Sequence, residues 1–139
     1  MAEVERGSSG PPVSRETIVI RWVDAFNARD IDGILAVLAR QVDFHPLRLK
    51  GIAASYRGHD GVREWFGRLT RLRHDHRIVL HGTRDLGGGR VFASGALSLV
   101  GQPEVGPFCA LHRLERGVIV AVHQYHSDSA TAESLGLIG

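Results

Sequence analysis

The hydrophobic pattern of this 139-residue chain changes its period once, near residue 73. Before that point apolar residues recur at helical spacing, as Ile18, Trp22 and Phe26 do. After it, apolar and polar residues alternate, which is typical of strands. A run of helices followed by a run of strands predicts an α+β domain, because an α/β domain would alternate the two.

The individual elements follow from caps, turns and these two periods. Ser14 and Asp30 are N-cap residues for a helix over 14–29 and for a second helix that carries Ile31, Ile34, Leu35 and Leu38. A third helix is predicted over 60–72 and a short strand over 42–45, with a loop over 47–58. Four further strands are predicted over 76–84, 91–100, 108–115 and 118–126. Residues 1–13 are predicted to be a disordered tail, and 14–139 a single domain.

Composition excludes several classes of protein. The single cysteine, Cys109, cannot form an internal disulfide and is interpreted as a small buried hydrophobe. No apolar run is long enough for a transmembrane helix, and the N-terminus lacks a signal-peptide core, so we expect a cytoplasmic protein without a membrane partner. The arginines between Arg63 and Arg77 lack interleaved aromatic residues, which favours a solvated helix face over a nucleic-acid surface.

Three stretches resemble the NTF2-like superfamily, in particular its SnoaL-like branch: residues 56–66 (YRGHDGVREWF), 116–119 (RGVI) and 132–137 (AESLGL). The resemblance implies N-terminal helices packed on a strongly curved antiparallel sheet, a cone that encloses a pocket open at one end. It also implies a homodimer formed through the outer sheet face. Ser94, Ser98, Leu111, His123 and Tyr125 are expected on that face.

A more distant resemblance to the steroid delta-isomerases runs through Asp30-Ile31, Gly101-Gln102-Pro103 and Gly117-Val118-Ile119. Aligning these anchors places His45, which precedes Pro46, at the position of the isomerase's general base. The tyrosine of the isomerase oxyanion hole falls on Trp22, and its carboxylic acid falls on Ala110. Neither residue can replace its counterpart, so the usual isomerase mechanism is not expected.

The same alignment predicts the lining of the pocket, since alternate residues of a strand share a face. The pocket face is expected to carry Val91, Ala93, Gly95, Leu97, Phe108, Ala110, His112, Val120, Val122, Gln124 and His126. The residues expected to bind substrate are Trp22, Phe26, Trp65, His76, Phe108, Ala110, Val122 and Gln124. This mostly apolar lining predicts a small, largely apolar organic ligand.

His45 is the first choice as a general base, and Asp43 lies two residues away on the same strand face, where it could orient the imidazole. His112 and His126 are the other candidates. A simpler interpretation makes His45 a loop-capping residue and the other two hydrogen-bonded core histidines. No histidine spacing indicates a metal site, and neither a metal nor a cofactor is expected.

Three hypotheses remain open at this point, of which the third, a nucleic-acid-binding domain, rests only on the arginine cluster. The first is an enzyme that uses acid–base chemistry without a cofactor, as in an isomerisation, cyclisation or dehydration. The second is a non-catalytic module that binds a ligand or a partner. Loss of the isomerase's two oxyanion-hole donors favours the second, and the histidine-rich lining favours the first.

Overall fold

The structure, a computed structural model, describes residues 13–72, 76–99 and 104–126. Its helices are α1 (Arg15–Asn27), α2 (Ile31–Val37) and α3 (Gly58–Leu72). Its strands are β1 (Leu38–His45), β2 (Tyr56–Arg57), β3 (His76–Gly87), β4 (Arg90–Leu99), β5 (Glu104–Glu115) and β6 (Val118–Tyr125). The predicted α+β class is confirmed. Residues 1–12 of the predicted tail and the 132–137 stretch lie outside the described residues.

Both predicted helix caps are present. The Ser14 hydroxyl accepts a hydrogen bond from the Thr17 amide at 3.1 Å. The Asp30 carboxylate accepts one from the Gly33 amide at 3.0 Å. These side chains satisfy amides that the first turn of a helix leaves unpaired, and each helix therefore begins directly after its cap.

The six strands form one curved sheet in the order β2-β1-β6-β5-β4-β3. Strands β3 to β6 are the predicted antiparallel meander. Strand β1, predicted as a short strand of four residues, has eight and lies parallel to β6, so that Phe44 pairs with Val122 and His45 with His123. It begins at Leu38, which was predicted to belong to the α2 stripe. A buried leucine at a helix–strand junction fits both periods, and the sequence alone cannot assign it.

Two side chains at the end of α1 fix the helix to the outermost strand, β3. The Asn27 amide donates to the Ile78 carbonyl and accepts from the Ile78 amide, each at 2.8 Å. Arg29, which has a left-handed backbone with φ of 59°, donates from its guanidinium group to the His76 carbonyl. The C-terminal end of α1 is therefore anchored by hydrogen bonds to main-chain atoms of the sheet.

The core lies between the helices and the inner face of the sheet, the face that carries Phe44, Phe108 and Val122. A smaller cluster on the opposite, outer face contains Phe92 and Cys109, with Leu86 and Tyr125 against them. Cys109 is fully buried there, as predicted. No helix in the described ranges is long and apolar enough to cross a membrane.

Gly95 marks a close approach between β3 and β4. A Cβ atom at this position would lie 2.0 Å from the Val79 carbonyl oxygen, so a side chain would force the two main chains apart. We expect Gly95→Ala to lower the free energy of unfolding by at least about 2 kcal/mol. Gly82→Ala, on the neighbouring strand, has open space around its Cβ and should change it by less than about 0.5 kcal/mol. Urea denaturation measures both, and equal effects would contradict this account.

Candidate active site in the cone

Four aromatic rings fill the centre of the cone. Trp65 of α3 lies 4.5 Å from Phe44 of β1 and 5.8 Å from Phe26 of α1, measured between ring centroids. Trp22 packs edge-on against Phe44 at 5.9 Å and lies 6.2 Å from Trp65. All four side chains are at most 3% exposed. Both indoles, which were expected to face the pocket, lie in this buried cluster.

A small cavity lies beside these rings, with a volume of about 20 Å³. Its walls are Phe26, Leu47, Leu49, Trp65, Leu69, His76, Ile78, Leu97, Phe108 and Gln124. A space of this size holds roughly one water molecule. The interior expected to be an open pocket is therefore nearly filled, because the rings occupy the space that a ligand would take.

The predicted substrate-binding residues divide into two groups. Phe26, Trp65, His76, Phe108 and Gln124 line the cavity. The other three, which are Trp22, Ala110 and Val122, are buried in the core away from its wall. Leu47 and Leu49 were not predicted in the lining, although their alternation after Pro46 is a signal that one face of this loop is apolar.

Gln124 and His76 are the two polar side chains among the ten that line the cavity. The Gln124 side-chain oxygen accepts a hydrogen bond from the Leu47 amide at 3.1 Å. A backbone N–H can only donate, so the Gln124 oxygen must face the Leu47 amide. The NH₂ group of Gln124 is then the donor that a ligand can use. His76 is 9% exposed at the same cavity. A ligand there would meet one imidazole and one amide in otherwise apolar surroundings.

His112 is buried deeper, at 1% exposure. Its Nδ1 lies 3.2 Å from the Val91 carbonyl oxygen, which can only accept, so Nδ1 carries the proton. Its Nε2 has no hydrogen-bond partner within the described part of the chain. Burial lowers the pKa of His112 to about 4, and the hydrogen bond to Val91 opposes that shift. The ring is therefore neutral at pH 7.

This lowered pKa couples the stability of the fold to pH. Between pH 6.5 and 4 the unfolded chain binds a proton at residue 112 and the folded chain does not, so stability falls as the pH falls. His112→Leu removes the group that binds this proton. We expect the wild type to lose about 2 to 3 kcal/mol more than the variant between pH 7 and 4.5. His126→Gln, at an exposed position, should follow the wild type. Parallel pH profiles for wild type and His112→Leu would refute this account.

His45 and Asp43 lie on the outer face of the sheet, which corrects the expectation that His45 faces the cone. Phe44 points inward against Trp22, and its two neighbours in β1 must then point outward. The predicted contact within the pair is present, with His45 Nε2 3.1 Å from Asp43 Oδ1. The carboxylate therefore orients the imidazole, but outside the cone.

The His45 ring stacks on His123 at 4.1 Å with an interplanar angle of 14°, and His123 lies 6.5 Å from Tyr125 in a similar orientation. Partial burial, and then the neighbouring His45, lower the pKa of His123, while Asp43 raises it. His123 and Tyr125 were predicted on this face. The outer face thus carries a row of three parallel rings beside one carboxylate.

The last strand accounts for two further differences. The pairing of β5 with β6 shifts between Arg113 and Leu114, so that Val120 is the extra residue of a bulge and Ile119 takes the inward position. His126 follows the end of β6 and is exposed, not part of the cone lining. In the described ranges no three His, Cys, Asp or Glu side chains are grouped so as to hold a metal ion.

Comparison with known proteins gives a consistent result. A family model described as a SnoaL-like domain matches residues 19–122. An NTF2-like protein of unknown function from Burkholderia pseudomallei K96243 shares 24% identity over 91% of this chain and 98% of its own, with a TM-score of 0.70. No curated protein matches the chain significantly.

Two other solved structures have the same fold. TerC, co-crystallised with polyporic acid, shares 18% identity over 90% of this chain and 98% of its own, with a TM-score of 0.71. A candidate polyketide cyclase from Pseudomonas putida KT2440 shares 19% identity over 83% of this chain and 92% of its own, with a TM-score of 0.64. At these identities the similarity is one of fold.

Proposed function

Because the chain belongs to the SnoaL-like domain family, we propose that it is an enzyme that performs acid–base chemistry without a cofactor on a small, largely apolar metabolite. The observation that carries the proposal is the cone cavity, whose apolar walls present one imidazole, His76, and one amide, Gln124. Isomerisation, cyclisation and dehydration all require a proton to be moved at carbon or oxygen in such surroundings. The candidate cyclases among the structural neighbours fit this class of reaction.

In this proposal His76 is the proton acceptor and Gln124 the hydrogen-bond donor that orients the substrate. Histidine exchanges protons near neutral pH, and dry walls strengthen a hydrogen bond from the amide to a substrate oxygen. Asp43 and His45 form an orienting pair on the outer face, so they do not reach the same substrate. The sequence predicted His45 as the base. We assign the base to His76 instead because His76 lines the cavity and His45 lies on the outer face of the sheet.

Substrate entry requires the cavity to enlarge from about 20 Å³. Leu47 and Leu49 belong to the segment between β1 and β2, and the Leu47 amide is held by Gln124. Moving Leu47 and Leu49 breaks the hydrogen bond from the Leu47 amide to Gln124 and exposes two leucines, a smaller cost than moving a ring of the aromatic cluster. We therefore place the entrance at Leu47, beside the Gln124 side chain, whose NH₂ group donates to the entering substrate.

Proton abstraction can be tested before the natural substrate is known. A base in the cone should catalyse hydrogen–deuterium exchange next to the carbonyl of a small apolar ketone such as 2-tetralone in deuterated water. We expect His76→Gln to lower kcat/KM for exchange by about 100-fold or more. His45→Gln, the matched change on the outer face, should leave it within about twofold. Loss of exchange in the His45 variant alone would return the base to the outer face.

The alternative is a non-catalytic module that binds a ligand or a partner through the same cone. It is favoured by Trp22 and Ala110, which the distant resemblance aligns with the oxyanion donors of the steroid isomerases and which are both buried. The chain has two tryptophans, and both lie in the ring cluster, so ligand entry should change the protein fluorescence. Polyporic acid is a suitable first probe. Binding without any pH-dependent turnover between pH 5 and 8 would support the module over the enzyme.

We also propose a homodimer formed through the outer sheet face. Leu111 pairs with His123 across the β5–β6 ladder, and both side chains are only partly buried in the single chain. Light scattering should give about twice the 15.2 kDa mass of the chain. Leu111→Glu should shift the mass towards the monomer, whereas Leu72→Glu, at a 52% exposed position on α3, should not. A monomeric wild type at micromolar concentration would contradict the proposal.

A further inference from the structure

A second cavity, of about 450 Å³, opens where β1, β2 and the first turn of α3 meet. Seven residues line it, namely Arg40, Gln41, Arg57, Gly58, His59, Asp60 and Arg63. We call it the basic cleft. None of these residues lines the cone cavity, so the basic cleft is a separate feature of the molecule.

The three arginines of the basic cleft come from three different elements. Arg40 belongs to β1, Arg57 to β2 and Arg63 to α3, and all three are exposed. Gly58 brings them together. It has φ of 71°, and a Cβ atom there would lie 3.1 Å from the Arg40 carbonyl oxygen, so α3 starts directly against β1. The fold thus directs three guanidinium groups to one concavity.

The basic cleft contains one carboxylate among its seven lining residues. Asp60 is fully exposed and forms a surface ion pair with Arg63 at 3.2 Å. The carboxylate paired with Arg57 across the β1–β2 ladder is Asp43, whose Oδ1 contacts His45. His59 lines the same wall, where its Nε2 donates to the Leu38 carbonyl at 2.9 Å. The lining therefore carries an excess of positive charge.

We propose that the basic cleft binds the phosphate group of a small molecule. Planar guanidinium groups bind phosphate oxygens with two parallel hydrogen bonds each, and a concave surface of one sign concentrates the field on an anion. The volume lies in the range of small-molecule sites. A nucleic-acid strand would need a longer basic track with aromatic residues on which bases stack. Among its seven lining residues the cleft has one ring, that of His59, which is hydrogen-bonded to the Leu38 carbonyl.

The test measures the binding of inorganic phosphate and of phenyl phosphate to the full chain. Calorimetry and NMR of the arginine side chains report the binding. We expect Arg57→Gln to weaken binding of both probes at least about tenfold. Arg21→Gln removes the same charge from an exposed position on α1 and should change binding less than about twofold. Tighter binding of phenyl phosphate than of inorganic phosphate would identify an organic phosphate as the ligand, and equal binding a site that recognises the phosphate alone.

Asp60→Asn should have the opposite effect on phosphate binding, because it removes a negative charge from the lining. It removes the one carboxylate of the lining and frees Arg63, so both probes should bind about threefold or more tightly. Three results would overturn the proposal: no binding of either probe at about 10 mM, equal weakening by Arg21→Gln, or tighter binding of a short single-stranded oligonucleotide than of phenyl phosphate. Arg57→Gln should leave ketone exchange in the cone unchanged, because the two sites share no residue. Failure of the phosphate proposal can therefore be told apart from failure of the proposed catalysis in the cone.

Discussion

The contact between Trp65 and Phe44 unites the parts of this fold. It joins α3 to β1, and Trp22 and Phe26 bring α1 into the same cluster. Each pair of buried rings contributes about 0.5 to 1.5 kcal/mol beyond the burial of its area. The cluster holds the helices on the inner sheet face, with a small cavity at its edge. The proposed site is therefore a gap in the packing of the core.

Strand β1 contributes to three parts of the structure, and to two of them because its alternate residues face opposite ways. Phe44 belongs to the ring cluster, and Asp43 and His45 stand on the outer face next to His123. At its other end β1 supplies Arg40 to the basic cleft. The parallel pairing with β6 fixes this arrangement, since it places Phe44 beside Val122 and His45 beside His123. One strand thereby positions the core, the outer-face rings and part of the cleft.

The helices, the meander and most of the inner-face residues could be predicted from the sequence. Helix caps such as Ser14 depend on residues within one turn of the helix. The burial of Phe108, Ala110 and His112 follows from the alternation of residues along one strand. The side chain of His45 could not be placed, because a one-residue gap in an alignment moves every residue of a strand to the other face. The bulge at Val120 has the same effect on β6. The near-filled interior depends on how four rings from three elements pack, which no spacing encodes.

Asn27 has a consequence for the behaviour of the protein in solution. Strand β3 ends the sheet, and an unpaired edge offers free N–H and C=O groups to any passing chain, which is a common start of aggregation. The Asn27 amide pairs with both main-chain groups of Ile78, as the next strand would, and Arg29 covers the His76 carbonyl. The opposite edge, β2, is two residues long. The end of a helix thus protects the β3 edge at His76 and Ile78, and the short β2 strand offers a foreign strand only two residues to pair with.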